Sequence, residues 1–167
     1  MEILNVHNDI RQKVEPSAAN MEKMVWNEEA ALNAMNFAAK CIDDHSNVKY
    51  RVIKRPNVHS CGENLLFSSA KTPWSAVINE WASENEDFTY GVGSNGNPVG
   101  HYTQVVWWNS VHSGCGAAKC DNLKYPYFYV CHYCPAGNDW ENRNTPYKLG
   151  RRCSQCNGGC DNGLCVS

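Results

Sequence analysis

The chain contains no run of 18 or more apolar residues, the length a helix needs to cross a bilayer, so no transmembrane segment is expected. Its opening, Met1-Glu2-Ile3-Leu4-Asn5-Val6-His7, lacks the basic region and apolar stretch of a leader and reads as the start of a mature form. Charged residues are sparse, 19% of the chain, and balance to a formal net charge of −2. The basic footprint needed to neutralise phosphates is missing, which excludes nucleic acid as a partner class. There is no His-Glu-x-x-His helix and no Gly-x-Ser-x-Gly elbow, so two common hydrolase signatures are absent. Ser110 and Ser113 read as turn residues rather than nucleophiles. His7, His59, His112 and His132 stand alone in sequence and read as surface or satisfied structural histidines. Asn144-Thr145-Pro146 does not fit the Asn-x-Ser/Thr pattern, so N-glycosylation is not expected.

What the chain does have is cysteine. Ten cysteines in 167 residues are tolerated where thiols are oxidised and kept paired, which points to a secreted, extracellular protein. Cys41, Cys61, Cys115, Cys120, Cys131 and Cys134 are scattered, whereas Cys153, Cys156, Cys160 and Cys165 crowd the end. Two modules follow, 1–140 and 141–167, joined through Pro135-Ala136-Gly137-Asn138 and the polar run Asn142 to Pro146. The tail after Gly150 offers only Leu164 and Val166 as larger apolar residues, so disulfides are expected to order it. Six scattered cysteines permit 15 pairings, and spacing does not choose among them. Cys153-x-x-Cys156 also has a metal-like spacing, which leaves a zinc site as the rival to a disulfide pair.

Ile3, Val6, Ile10 and Val14 recur at three- and four-residue steps, which predicts an opening helix stopped by Pro16. Asn27 as N-cap, with Glu28 and Glu29 in the first turn, predicts a second helix through Leu32, Met35, Phe37 and Ala38 to about Cys41. A third begins at Thr72 with Pro73 in the first helical position; Trp74, Val77, Ile78 and Trp81 form its core-facing stripe. Strands are predicted at Tyr102 to Trp107, Cys115 to Lys119 and Tyr125 to Tyr133, where β-branched and aromatic residues concentrate. Helices first and antiparallel strands later indicate an α+β fold with a central sheet covered by helices. The aromatic cluster Tyr125, Tyr127, Phe128, Tyr129 and Tyr133 suits core packing, with a lipid or sterol groove as the alternative; alternation puts Tyr127 and Tyr129 on one face and Phe128 on the other.

Gly100 to Ser110, GHYTQVVWWNS, and Phe128 to Asn138, FYVCHYCPAGN, resemble the signature segments of the CAP superfamily. Cys61-Gly62-Glu63-Asn64, Thr145 to Gly150 and Cys160 to Cys165 extend the likeness, the last two resembling the hinge of cysteine-rich secretory proteins. The resemblance implies an α-β-α sandwich with a mainly antiparallel sheet and a small disulfide-rich hinge, without the channel-regulatory module that follows the hinge in longer members. It implies the pairs Cys41–Cys120, Cys61–Cys134, Cys115–Cys131, Cys153–Cys160 and Cys156–Cys165. It also unites His45, Glu63, Glu84 and His101 as a cleft tetrad. Two imidazoles and two carboxylates suit zinc, and equally suit a structural role in which each carboxylate holds a histidine. Glu84 competes with Glu80 and Glu86 for its place in that set. Functionally the resemblance implies a non-enzymatic ligand of a cell-surface receptor, as in two-domain members that attract sperm. The alternatives are a venom or defence protein acting on channels, lipids or sterols, and a metal-dependent hydrolase.

Overall fold

The computed structural model describes residues 2–167. In chain order, α1 (Glu2–Gln12), β1 (Val25–Trp26) and α2 (Glu28–Ala38) lead to a short hairpin, β2 (Val52–Ile53) with β3 (His59–Ser60). Then follow β4 (Gly62–Ser68), α3 (Trp74–Ser83), a second short hairpin of β5 (Phe88–Thr89) and β6 (Gly93–Ser94), and α4 (Gly100–Val105). The long strands β7 (His112–Lys119) and β8 (Tyr127–Cys134) complete the main domain, and β9 (Gly159–Asp161) pairs with β10 (Leu164–Val166) in the tail. The central sheet runs β1-β7-β8-β4, antiparallel except where β1 joins β7. It is an α+β architecture of helices packed over a mainly antiparallel sheet.

Period-two alternation in β8 sorts its side chains between two cores. Phe128 and Val130 join Ala34, Phe37 and Ala38 of α2, while Tyr129, Cys131 and Tyr133 join Val77, Ile78 and Trp81 of α3 and residues of α4. The α2 face is so close-packed that a Cβ on Gly114 of β7 would lie 2.1 Å from the Ala31 nitrogen, so only glycine fits. Asn27 caps α2 through its side-chain oxygen, which accepts from the Ala30 N–H at 2.9 Å. Leu32 and Met35 of α2 are exposed, and the helix ends at Ala38 rather than near Cys41. Pro73 is the N-cap of α3 rather than its first helical residue; Val77, Ile78 and Trp81 are buried as predicted, whereas Trp74 is half-buried.

Two departures from the sequence reading matter for function. Tyr102 to Trp107, predicted as a strand, begins instead within α4. Local propensity loses to tertiary context: the Tyr102 N–H, an orphan of the helix start, donates to Glu84 Oε2 at 2.9 Å from a distant element. The strand β4, not anticipated, supplies the second antiparallel partner of β8, from Gly62 opposite Tyr133 to Ser68 opposite Tyr127. The tail also does more than rest on disulfides. Leu164 is buried in the main core, and Cys165 exchanges backbone hydrogen bonds with Met21 and Lys23. Five disulfides join Cys41–Cys120, Cys61–Cys134, Cys115–Cys131, Cys153–Cys160 and Cys156–Cys165. Cys115 and Cys131 are direct cross-strand partners on β7 and β8.

The fully buried residues of α1 are His7 and Arg11, not its apolar positions. His7 donates from Nδ1 to the Ile3 carbonyl at 2.8 Å and accepts at Nε2 from the Tyr133 hydroxyl at 2.9 Å, which fixes the neutral tautomer. Burial lowers its pKa to about 4, outweighing the backbone hydrogen bond. The unfolded chain therefore binds a proton near pH 6.5 that the folded chain refuses until about pH 4, and stability falls as pH drops through that window. The expected loss is about 3 kcal/mol. Urea titrations at pH 7.5 and pH 4 on the parent and on His7→Gln should show the loss much reduced in the variant; equal losses would remove His7 as the origin.

Candidate functional site

Glu63 sits on β4, directly across from His132 on β8. Its side chain is wholly buried. Oε1 accepts from His45 Nδ1 at 2.8 Å, from the Ser46 N–H at 2.9 Å and from Arg51 Nη1 at 3.3 Å; Oε2 accepts from the Ser46 hydroxyl at 2.6 Å and His132 Nε2 at 2.8 Å. Burial alone would push the Glu63 carboxyl up, but hydrogen bonds from His132, His45 and Ser46 outweigh it and hold it far below the usual carboxylate range. The result is a permanently charged, fully occupied anchor. His132 donates through Nε2, so its Nδ1 carries no proton in the neutral form and is buried without a partner.

The second half of the site hangs on α4. His101 Nδ1 donates to Glu84 Oε1 at 2.7 Å, and the other Glu84 oxygen caps α4 through Tyr102. That double engagement selects Glu84 over Glu80 and Glu86. The His101 ring stacks on buried Trp81, with centroids 6.2 Å apart. Asn64, next to Glu63, donates to the His101 carbonyl at 3.1 Å and to the Tyr133 hydroxyl at 3.4 Å. One buried polar chain thus ties α1, β8, β4 and α4 together behind the two histidines, through His7, Tyr133, Asn64 and His101.

The four residues united by resemblance therefore stand as two histidine–carboxylate pairs linked through β4. Ser46, Arg51, His132 and Asn64 belong to the same network, and sequence reading missed all four. His132 was within reach, since a strand predicted over Tyr125 to Tyr133 needed only the partner register to meet Glu63; Ser46 and Arg51 carry no local signal. Among the described residues, no group of three or more His, Cys, Asp and Glu side chains gathers as a metal ion would require. The side chains that would hold a zinc ion here are the two histidines, through their ring nitrogens. Both histidines spend Nδ1 on a carboxylate, which leaves Nε2 of each with no partner among the described residues and the rings oriented from behind. In that arrangement Glu63 and Glu84 orient the ligands rather than bind the ion. The His45 side chain is 55% exposed and that of His101 37%, so solvent reaches both.

A family model described as CAP, the cysteine-rich secretory protein family, matches residues 4–133. The chain is 46% identical over 166 residues to allurin of Xenopus tropicalis, covering 99% of this chain and 81% of that protein. It is 50% identical over 171 residues to cysteine-rich secretory protein 2 of Cavia porcellus, covering 99% of this chain and 68% of that protein. Among solved structures it resembles NaASP2 with Zn2+ (TM-score 0.73, 29% identity, 99% of this chain and 93% of that one). Na-ASP-1 is similar at a TM-score of 0.78 and 30% identity, over 99% of this chain and 46% of that one. With its sheet-centred fold, its five disulfides and these matches over nearly its whole length, the chain belongs to the cysteine-rich secretory protein family.

Proposed function

We propose that the protein is a non-enzymatic extracellular ligand that reaches a receptor on sperm as a diffusible chemical cue. The observation that carries this reading is the likeness to allurin over 99% of the chain, and two features of the chain accord with it. All ten cysteines are paired, so no thiol is available as a nucleophile. Glu63 is held deep in its charged form with both oxygens occupied, the opposite of the raised pKa that suits a general base at neutral pH. A stapled domain of 18.7 kDa with a net charge of −2 is suited to persist outside the cell and to diffuse without sticking to polyanionic matrix. Among the described residues no helix is long and apolar enough to cross a membrane. A two-chamber assay should show directed sperm migration towards the folded chain and none towards the reduced and alkylated chain. No response over a broad concentration range, alongside inhibition of a channel current, would favour the alternative action on channels.

The Nε2 atoms of His45 and His101, without a partner among the described residues, favour a second property, zinc binding, and NaASP2, similar in fold, was solved with Zn2+. Calorimetry should detect binding that weakens in acid, where protons compete for the ring nitrogens. Replacing both histidines by alanine should abolish it, and Glu84→Ala, which frees the His101 ring, should weaken it about 10- to 100-fold. Unchanged affinity in the double variant would place the ion elsewhere.

A further inference from the structure

Beside α4, the segment after β8 folds back against the loop around β6 to form an open cleft of about 530 Å³ whose lining residues include neither His45 nor His101, within the usual range for small-molecule sites. At its rim Trp140 is 77% exposed, the most exposed large apolar residue of the described chain. The Arg143 guanidinium lies 3.6 Å from the Trp140 ring centroid and covers one side of the indole, while most of the residue stays open to solvent. A singly exposed tryptophan needs no special explanation, but one that lines a cleft beside anchored amides offers an apolar plate to a ligand.

The cleft wall mixes apolar side chains, Val92, Pro98 and Val99 among them, with amides held in place by the chain itself. Asn138 donates to the Gly100 carbonyl at 2.8 Å and accepts from the Thr103 hydroxyl at 2.7 Å. Asn144 donates to the Val92 carbonyl at 3.1 Å, and Asn97 to Asp87 at 3.0 Å. Each amide nitrogen thus spends one N–H on the protein and, among the described residues, keeps the other unspent. Asn144 packs so tightly on Gly93 that a Cβ there would fall 2.5 Å from its oxygen, and Gly93 has φ +102°, so glycine is required for the two loops to meet. The wall is therefore pre-organised, and little ordering entropy is lost on binding. Arg143, engaged with the indole, is the one charged side chain lining the cleft.

We propose that this cleft is a saccharide-binding site for a neutral pyranose, the terminal residue of a glycan. A pyranose has an apolar C–H face that lies flat on an indole, and a ring of hydroxyls that accept from fixed amide N–H groups and donate to carbonyl oxygens. A cleft with one aromatic plate, apolar side chains beside anchored amides and a single charged side chain offers such a ligand both a surface for its C–H face and donors for its hydroxyls, whereas an ionic ligand wants unpaired charge. The proposal goes beyond the sperm-cue reading and does not depend on it.

The test is a titration of the full-length, disulfide-intact protein with methyl glycosides of glucose, galactose, mannose and N-acetylglucosamine, followed by 15N–1H NMR. At least one sugar should shift the Trp140 indole N–H, assigned by its loss in Trp140→Phe, together with the side-chain amides of Asn138 and Asn144. Trp140→Ala should weaken that binding about tenfold or more, and Asn97→Ala, at an exposed position, should weaken it less while leaving the spectrum of the core unchanged. No shift at these groups with any of the four sugars would overturn the proposal. So would binding confined to sulfated saccharides and abolished by salt, since that is capture by charge.

Discussion

Arg11→Met is expected to destabilise the fold by about 3 to 5 kcal/mol, a large fraction of the total stability of a small domain. The guanidinium is buried and makes five hydrogen bonds, all to backbone carbonyls: two to Glu22, at 3.0 and 2.6 Å, and one each to Val105, Trp107 and Trp108, at 3.0, 2.7 and 2.9 Å. No carboxylate forms an ion pair with it among the described residues; carbonyl dipoles compensate the charge, helped by the field of the Glu22 carboxylate. Burial lowers its pKa to about 9, which leaves it charged at neutral pH. Methionine matches much of the aliphatic stem but leaves a cluster of carbonyls without their donor, and unsatisfied buried groups cost more than the lost bonds contribute. Arg11→Lys should recover little, because one ammonium cannot span carbonyls on both sides of a planar fork. Because Val105 to Trp108 closes α4, the same substitution should loosen the helix that carries His101. Urea denaturation with amide exchange across Tyr102 to Val106 measures both effects; a loss under about 1 kcal/mol would show that water replaces the clamp.

Removing the Cys61–Cys134 bridge by a double alanine substitution is expected to cost about 4 kcal/mol, the chain-entropy value for a loop of this size. The two cysteines are 73 residues apart in sequence and both are buried, so their loss also leaves a small void. The bridge joins the residue before β4 to the end of β8, holding together the two strands that bring Glu63 to His132. The hinge pair Cys153–Cys160, only 7 residues apart, should cost less when removed, about 2 to 3 kcal/mol. Comparing the two double variants by denaturant titration tests the ordering. A larger loss from the hinge bridge would mean that docking of Leu164 and Cys165 into the main core, rather than loop closure, dominates.

Composition and periodicity were enough for a good part of this protein. Ten cysteines against little charge point to an oxidising compartment, and Asn27 before Glu28 and Glu29 marks the start of α2. The steps between Val77, Ile78 and Trp81 define the buried face of α3, and alternation in Tyr127 to Tyr129 separates the two faces of β8, because these signals depend only on neighbours along the chain. Tertiary structure alone decided the rest. Tyr102 to Trp107 has strand-like composition, yet a carboxylate from Glu84 caps its first turn and makes it helical. His7 and Arg11 look like the wet side of an amphipathic helix until the carbonyls and the tyrosine hydroxyl that satisfy them are seen to come from residues 22, 105 to 108 and 133. Glu63, His132, Ser46 and Arg51 become one anchor through strand register and loop closure. Buried polar groups are specified by partners distant in sequence, and no local pattern encodes where such partners will meet.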